Sequence, residues 1–175
     1  MILTIGHSNR SAEEFLSLLK AHAVELIADI RSVPRSRHNP QFNRDVLPET
    51  LVAAGIRYLH IPELGGLRHP QKGSVNGAWR NASFRGYADY MQTAAFEVGL
   101  AELLQAARPR GAVIMCAEAV PWRCHRSLVA DALFARGVPV GHITNSTAPT
   151  SHQPPPFARI EGQMVTYPAT SLLTG

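Results

Sequence analysis

Residues 111–136, GAVIMCAEAVPWRCHRSLVADALFAR, form the stretch that decides the fold. The run from Gly111 to Cys116 is apolar without polar alternation, which is typical of a strand buried on both faces of a parallel sheet. From Trp122 to Arg136 the apolar residues recur at helical spacing, and Gly137 follows as a stop signal. A buried strand, a short polar loop and a helix in this order are the unit from which parallel α/β sheets are built.

Apolar runs on both sides of this unit predict the rest of the sheet. They span Met1 to Ile5, Val24 to Ile30, Ile56 to Ile61 and Val138 to Ile143. Helical patterns lie between them. One follows a capping box of Ser11 and Glu14, another runs from Arg44 to Ala54, and one or two more lie between Phe84 and Ala107. Strands that alternate with helices imply a parallel sheet covered on both faces.

The predicted fold class is therefore α/β. We expect a single three-layer domain over residues 1–175, with a mostly parallel, Rossmann-like sheet of about five strands flanked by helices. The predicted strands and helices of the sheet lie within residues 1–143. Residues 144–175 form a proline-rich loop and a C-terminal extension, in which Arg159 to Tyr167 predicts a hairpin.

The composition is typical of a globular protein. Hydrophobic residues make up 45% of the 175 residues and charged residues 17%, which argues against disorder. No apolar run approaches the length of a membrane span, and the N-terminal MILTIGHSNR lacks the pattern of a secretory signal. The net charge of +4 permits anionic partners without requiring nucleic acid. We predict a cytoplasmic protein that does not associate with membranes.

The loops that follow the strands carry most of the candidate functional residues. Ligands of open parallel α/β sheets bind beyond the carboxyl ends of the strands, where several loops meet. Four loops bring candidates to that edge: His7 and Ser8 after the first strand, Arg31, Arg35, Ser36 and Phe42 after the second, Gly65, Gly66 and Arg68 after the third, and Cys116 and Glu118 after the fourth. Their convergence favours a single ligand-binding cleft.

The fourth loop is the most specific. Cys116 ends a strand and faces the beginning of the next helix, where free N–H groups and the helix dipole can lower the pKa of a thiol. Cys124, His125 and Arg126 fall near the first turn of that helix. His125 could act as a base or pair with the thiolate, and Arg126 could bind a substrate anion or Glu118. The alternative is that both cysteines are small buried hydrophobic residues.

Several familiar sites are absent from the sequence. A phosphatase-like loop needs Cys-x5-Arg, but position 122 is Trp and Arg123 comes one residue late. The sequence contains neither a P-loop motif nor GxGxxG. A zinc or iron ion held by Cys116, Cys124 and His125, with His7 as a fourth ligand, is a minority alternative because the spacing is not that of a standard zinc site. We predict no cofactor.

The second and third loops suggest a way to bind an anion or a base. Arginines of the second loop suit phosphate contacts, and Phe42 could stack on a base. Trp79 and Tyr87, which follow the third strand, could add to such a platform. Aromatic residues under a long loop are equally often core residues, and that alternative stays open.

Taken together, these motifs resemble the family catalogued as domain of unknown function 488. The resembling segments lie within residues 1–143 and are Thr4-Ile-Gly-His-Ser8, Asp29-Ile-Arg31 with Pro34 and Ser36, Pro40-Gln-Phe42, Tyr58 to Pro62, Leu64-Gly-Gly66, Phe84, Tyr87 to Met91, Cys116-Ala-Glu118 and Cys124-His-Arg126. The resemblance implies a compact α/β fold with its polar motifs gathered in one cleft. It implies no particular reaction.

Three functional hypotheses follow. The favoured one is an enzyme that uses Cys116 as a thiolate on an anionic, phosphorylated or nucleotide-like substrate; the others are a nucleic-acid or nucleotide-binding module without catalysis, and a redox or metal sensor. For the enzyme, the predicted catalytic residues are Cys116, Glu118, His125, Arg126 and His7. The predicted substrate-binding residues are Ser8, Arg31, Arg35, Ser36, Phe42, Gly65, Gly66, Arg68, Trp79, Tyr87 and Cys124.

Overall fold

The elements alternate along the chain as the sequence predicts. The structure is a computed structural model that describes residues 1–108 and 111–169. Its strands are β1 (Ile2–Gly6), β2 (Leu26–Asp29), β3 (Arg57–His60), β4 (Ala112–Cys116), β5 (Val140–Ile143), β6 (Thr150–Ser151), β7 (Arg159–Glu161) and β8 (Met164–Thr166). Its α-helices are α1 (Ala12–Ala21), α2 (Leu47–Ala53), α3 (Ala82–Tyr90), α4 (Ala94–Ala107) and α5 (Arg126–Ala135).

The central sheet of the described residues has six strands in the order β3-β2-β4-β1-β5-β6. Strands β1 to β5 are parallel, and β6 pairs antiparallel with β5. The register places Gly6 beside Cys116 and Asp29 beside Met115, so the carboxyl ends of β1, β2 and β4 lie together. The predicted α/β class and the central position of β4 are confirmed. Strand β6 is an addition, and its two residues are too few to give a periodic pattern.

Helices cover both faces of the sheet. On one face, Phe96 and Leu103 of α4 and Leu128 of α5 pack against Ile114 of β4. On the other, Phe15 of α1 and other apolar side chains of α1 and α2 pack against the opposite face of β1, β2 and β4. Strands β1, β2, β4 and β5 are fully buried, which explains their apolar runs without alternation, whereas the edge strand β3 is partly exposed.

The remaining predictions of local structure hold, except that one helix starts later than predicted. The capping box of Ser11 and Glu14 starts α1, and β7 and β8 form the predicted C-terminal hairpin. Helix α5 begins at Arg126 rather than at Trp122, because Pro121–Arg123 form a separate 3-10 turn. Residues 109–110 and the last residues of the predicted extension, 170–175, lie outside the described part. Among the described residues, no helix combines the length and apolar character that a membrane crossing requires.

Candidate functional site

A two-part cleft opens at the carboxyl edge of the parallel strands. Its first part, here called the apolar pocket, has a volume of about 370 Å³ and is lined in part by Val33, Leu67, Phe84, Cys116 and Cys124. Its second part, the polar pocket, has a volume of about 530 Å³ and is lined in part by His7, Ser8, Asn9, Arg35, Ser36 and Asn39. The two parts share Arg31, Val33, Ala117 and Glu118. Residues from three of the four predicted loops therefore line the polar pocket and its junction with the apolar pocket, and the third loop adds Gly66 to the apolar pocket.

Cys116 lies at the inner end of the apolar pocket against Arg126. The Arg126 side chain is completely buried; Nη1 donates to Sγ of Cys116 and to the carbonyl oxygen of Glu118. Nη2 donates to the carbonyl oxygen of Ala119 at 2.9 Å. Arg126 thus contacts the Glu118 backbone instead of the carboxylate, which is exposed and accepts from the Val120 N–H at 3.1 Å. One guanidinium both holds the loop after β4 and faces the thiol.

The two cysteines differ strongly in acidity. Burial alone would raise the pKa of Cys116, but a hydrogen bond from the Cys124 thiol and the charge and hydrogen bond of Arg126 bring that pKa down to about 7. Cys124 donates this hydrogen bond, and the bond together with burial raises the pKa of Cys124 far above its usual range. Cys116 is therefore the more acidic of the two thiols. Both cysteines are free in the structure.

His125 precedes α5 and contacts Cys124 rather than Cys116. Its Nε2 lies 3.1 Å from the carbonyl oxygen of Ile30, so Nε2 carries the proton and Nδ1 has a free lone pair. That Nδ1 lies 3.6 Å from Sγ of Cys124. Burial lowers the pKa of His125 to about 4, and the imidazole is neutral at pH 7. The geometry makes His125 a proton acceptor for Cys124.

The carboxylate of Asp29, a residue for which no functional role was predicted, binds and holds Arg31. The Arg31 guanidinium binds Asp29 through Nε at 2.9 Å and Nη2 at 2.6 Å, and Tyr58 donates to the same carboxylate at 2.7 Å. Nη2 also donates to the carbonyl oxygen of Phe42. The sequence predicted that Arg31 would bind a substrate anion, but the Asp29 carboxylate already balances the charge of Arg31. Its position at the end of a buried apolar strand could have indicated that Asp29 pairs with a nearby cation.

His7 belongs to this network and not to the thiol site. Nδ1 donates to the carbonyl oxygen of Ser8 at 2.8 Å, and Nε2 accepts from Arg31 at 3.2 Å. Burial lowers the pKa of His7 to about 4. The imidazole is therefore neutral with both nitrogens engaged. Its predicted catalytic role has no support in this geometry, although it lines the polar pocket.

The predicted aromatic platform for a base is not formed. Phe42 is fully buried, with its ring stacked on His7 at 4.2 Å between centroids. Trp79 packs instead among Phe84, Phe157 and Tyr167. A ring that is covered on its faces by protein cannot stack on a nucleotide, so the predicted stacking by Phe42 is wrong. Phe42 was mistaken for an exposed loop residue because the loops that cover it come from distant parts of the sequence.

The remaining predicted residues support the walls of the cleft. Tyr87 is buried, donates to the carbonyl oxygen of Leu64 at 2.7 Å, and has its ring 5.0 Å from that of His125. Arg68 lies over the ring of Tyr90 at 3.7 Å and donates to the Gly65 carbonyl oxygen at 3.1 Å, outside both pockets.

Gly65 and Gly66 let the third loop approach closely. A Cβ on Gly65 would come within 2.7 Å of Ser32 Oγ, and one on Gly66 within 3.0 Å of His125 Nδ1. Ser32 secures the same loop by donating to the Gly66 carbonyl oxygen at 2.8 Å.

Ser36 and Arg35 have separate roles in the second loop. The Ser36 N–H donates to Asn43 Oδ1 at 2.6 Å, and its hydroxyl accepts from the Asn39 N–H, so it shapes the loop. Arg35 is exposed and lines the polar pocket.

Two of the three non-glycine residues with positive φ angles in the described part of the chain lie at the rim of the cleft, and the third, Ala23, lies outside both pockets. Ser8 and Leu67 have positive φ angles of 54° and 58°, which L residues rarely adopt. Ser8 lines the polar pocket and Leu67 the apolar pocket, where its side chain is 80% exposed. Residues with such strained backbone conformations are often found at binding and catalytic sites. No pattern in the sequence predicted the strained conformation of Leu67.

The alternative metal set is not assembled in the described residues. There, no group of three or more His, Cys, Asp or Glu side chains is arranged to hold a metal ion. His7 is engaged by Arg31, and the nearest cation to Cys116 is Arg126. The predicted set of Cys116, Cys124 and His125 is therefore not arranged as a ligand group.

Comparison with known proteins identifies one relationship. The family model described as domain of unknown function DUF488 matches residues 11–133. A search of curated proteins and a search of solved structures found no match.

Proposed function

The chain belongs to the DUF488 family, and from the chemistry of its cleft we propose that it is an enzyme in which the Cys116 thiolate attacks a substrate that carries an anionic group. The reaction would be a hydrolysis or a group transfer: the sulfur forms a bond to the electrophilic atom, the leaving group departs with its electron pair, and water or an acceptor releases the enzyme. The proposal places the protein in the cytoplasm, where thiols stay reduced.

The burial of Arg126 carries this proposal. A buried guanidinium without a counter-charge costs several kcal/mol. Among the described ion pairs none involves Arg126, and its acceptors are two carbonyl oxygens and the sulfur of Cys116. A thiolate at Cys116 supplies the missing negative charge. The same contact that stabilises the fold would keep the nucleophile ionised.

The cleft around the thiol fits a small anionic molecule. Cys116 lines a pocket with room for a ligand, and Arg123 at that pocket and Arg35 at the adjoining one are both exposed. Neither arginine takes part in a described ion pair, so both are free to meet a carboxylate or phosphate. The apolar side chains of the pocket add contact area for the remainder of such a molecule.

The direct test is the pH dependence of alkylation. Folded protein is treated with iodoacetamide from pH 5 to 10, and modification of each cysteine is followed by peptide mass spectrometry. We expect Cys116 to react with a midpoint near pH 7 and Cys124 to resist. A midpoint for Cys116 at or above the ordinary thiol value of 9.0 would contradict the proposal. Once a substrate is known, Cys116→Ser should abolish turnover and leave the fold intact.

The exposed arginines of the second loop support one alternative function, the binding of nucleic acid without catalysis. Arg35, Arg37 and Arg44 are all exposed on the segment between β2 and α2. They could bind nucleic-acid phosphates without any base stacking. Binding of this kind weakens steeply as salt rises. Affinity for single-stranded oligonucleotides that falls with salt and persists in Cys116→Ser would favour a binding module over the enzyme.

A further inference from the structure

We propose that Cys116 and Cys124 act as a two-thiol site that reduces small anionic disulfides, with Cys124 as the resolving thiol. This inference rests on the proposed thiolate at Cys116 and extends it to a second reacting group.

The position of Cys124 is the first observation. It has an extended conformation, with φ −132° and ψ 144°, between the 3-10 turn Pro121–Arg123 and helix α5. Its Sγ lies 3.6 Å from Nδ1 of His125, and its thiol helps to lower the pKa of the neighbouring Cys116. Both thiols line the apolar pocket, and the chain contains two cysteines in all. A sulfur bound to Cys116 would therefore lie next to Cys124 and no other thiol.

His125 supplies a route for the proton of Cys124. Because its Nε2–H is fixed by the carbonyl oxygen of Ile30, Nδ1 is unprotonated and lies 3.6 Å from Sγ of Cys124. In the reduced protein, a Cys116 thiolate competes with Nδ1 as acceptor for the Cys124 proton. Once Cys116 is in a disulfide, that acceptor is lost and Nδ1 becomes the available one.

The cycle balances in two exchanges. The Cys116 thiolate attacks one sulfur of a disulfide R–S–S–R, forms the mixed disulfide Cys116–S–S–R and expels RS⁻. Cys124 then loses its proton to His125 Nδ1 and attacks Sγ of Cys116, which forms the Cys116–Cys124 disulfide and expels a second RS⁻. That thiolate takes the proton from His125, and the other takes one from solvent. An external dithiol reductant returns the protein to its starting state.

Arg126 would make this internal disulfide easy to reduce. Oxidation removes the thiolate and leaves the buried guanidinium without its counter-charge. The reduced form is thereby favoured, as it is wherever a protein stabilises one thiolate of a dithiol pair. The oxidised state should be readily reversed by a dithiol, as a catalytic intermediate requires.

The walls of the pocket indicate the kind of disulfide that fits. Val33, Leu67 and Phe84 offer apolar contact beside the sulfur, and the exposed Arg123 offers a charge for a carboxylate. A disulfide with apolar or aromatic groups and terminal carboxylates matches both features. Dithiobis(nitrobenzoate) has this chemistry, and each exchange with it releases a coloured nitrothiobenzoate.

The experiment treats reduced, folded protein at pH 7 with dithiobis(nitrobenzoate) and follows released nitrothiobenzoate, intact mass and peptide linkage. For the wild type we expect two equivalents of nitrothiobenzoate per chain, no adduct, a mass lower by two hydrogens, and a linked Cys116–Cys124 peptide. For Cys124→Ser we expect one equivalent and a stable adduct on Cys116. Dithiothreitol should return the wild type to its original mass.

Two results would overturn the inference, and they differ. A stable adduct on Cys116 in the wild type, or adducts on both cysteines, would show that Cys124 does not resolve; the thiolate nucleophile would stand. No reaction at Cys116 in folded protein, with normal reaction after unfolding, would remove the thiolate proposal and this inference with it. The wild-type measurements hold even if the serine variant does not fold.

Discussion

Arg126 donates a hydrogen bond to Sγ of Cys116 from a side chain with no exposed surface. The same guanidinium binds the carbonyl oxygens of Glu118 and Ala119, so the loop that follows the cysteine and the charge that faces it depend on one residue. The conformation of the loop after β4 and the reactivity of the Cys116 thiol therefore both depend on Arg126. A substitution that disturbs the Arg126 contacts should alter both properties.

Replacing Arg126 by Met should raise the pKa of Cys116 from about 7, because the balancing charge is removed while burial remains. We expect thiolate-dependent alkylation at pH 7 to fall about fivefold or more, since a rise of the pKa from about 7 to about 8 lowers the thiolate fraction from about one half to about one tenth. The pH profile of iodoacetamide labelling measures this. Arg136→Met, which removes a surface pair with Glu97, is the matched control and should leave the profile unchanged. An unchanged midpoint in Arg126→Met would show that the contact does not set the acidity.

Gly6→Ala should disrupt the loop after β4 through steric overlap. A Cβ at Gly6 would overlap the carbonyl oxygen of Glu118, which Arg126 binds. We expect a loss of stability of roughly 1–3 kcal/mol, typical of overpacking, and slower labelling of Cys116. Urea unfolding and alkylation measure the two effects. At Gly55, which has φ 75° and open space around its Cβ position, Ala tests backbone strain alone and should leave Cys116 labelling unaffected.

The sequence was most informative where periodicity and position act together. The unbroken apolar run of β4 predicted a central strand, and its last residue, Cys116, was correctly expected at the carboxyl edge with the loops of β1 and β2. A strand buried on both faces must lie inside the sheet, and parallel connections bring strand ends to one edge. These arguments need no knowledge of side-chain contacts.

The sequence was least informative where contacts between loops decide the outcome. Whether Phe42 is exposed depends on His7 and Phe15, and whether Arg31 is free depends on Asp29 and Tyr58. No spacing rule relates these residues. The start of α5 was misplaced because Pro121 begins a separate turn, a choice that the helical apolar pattern cannot reveal.

Acidification should destabilise the folded protein between pH 6.5 and 4. Burial is the main cause that lowers the pKa values of His7, His125 and His142 to about 4, whereas the ordinary value is 6.5. Within this window the unfolded chain binds protons that the folded protein does not, so stability is lost as pH falls. Urea midpoints at pH 7.5, 6 and 5 should decrease in that order. His142→Gln should flatten the slope and the exposed His38→Gln should not; equal slopes in both would contradict the assignment.

Arg123→Gln should slow the reaction of Cys116 with an anionic disulfide and not with a neutral one. Arg123 is exposed and lines the apolar pocket, so its charge attracts carboxylates without touching the sulfur. Stopped-flow rates with dithiobis(nitrobenzoate) should fall several-fold at low salt, and the difference from wild type should shrink as salt screens the charge. Rates with neutral dithiodipyridine should stay the same. Equal slowing with both reagents would mean that the substitution perturbs Cys116 itself, and no slowing with either would mean that Arg123 does not recognise the anion.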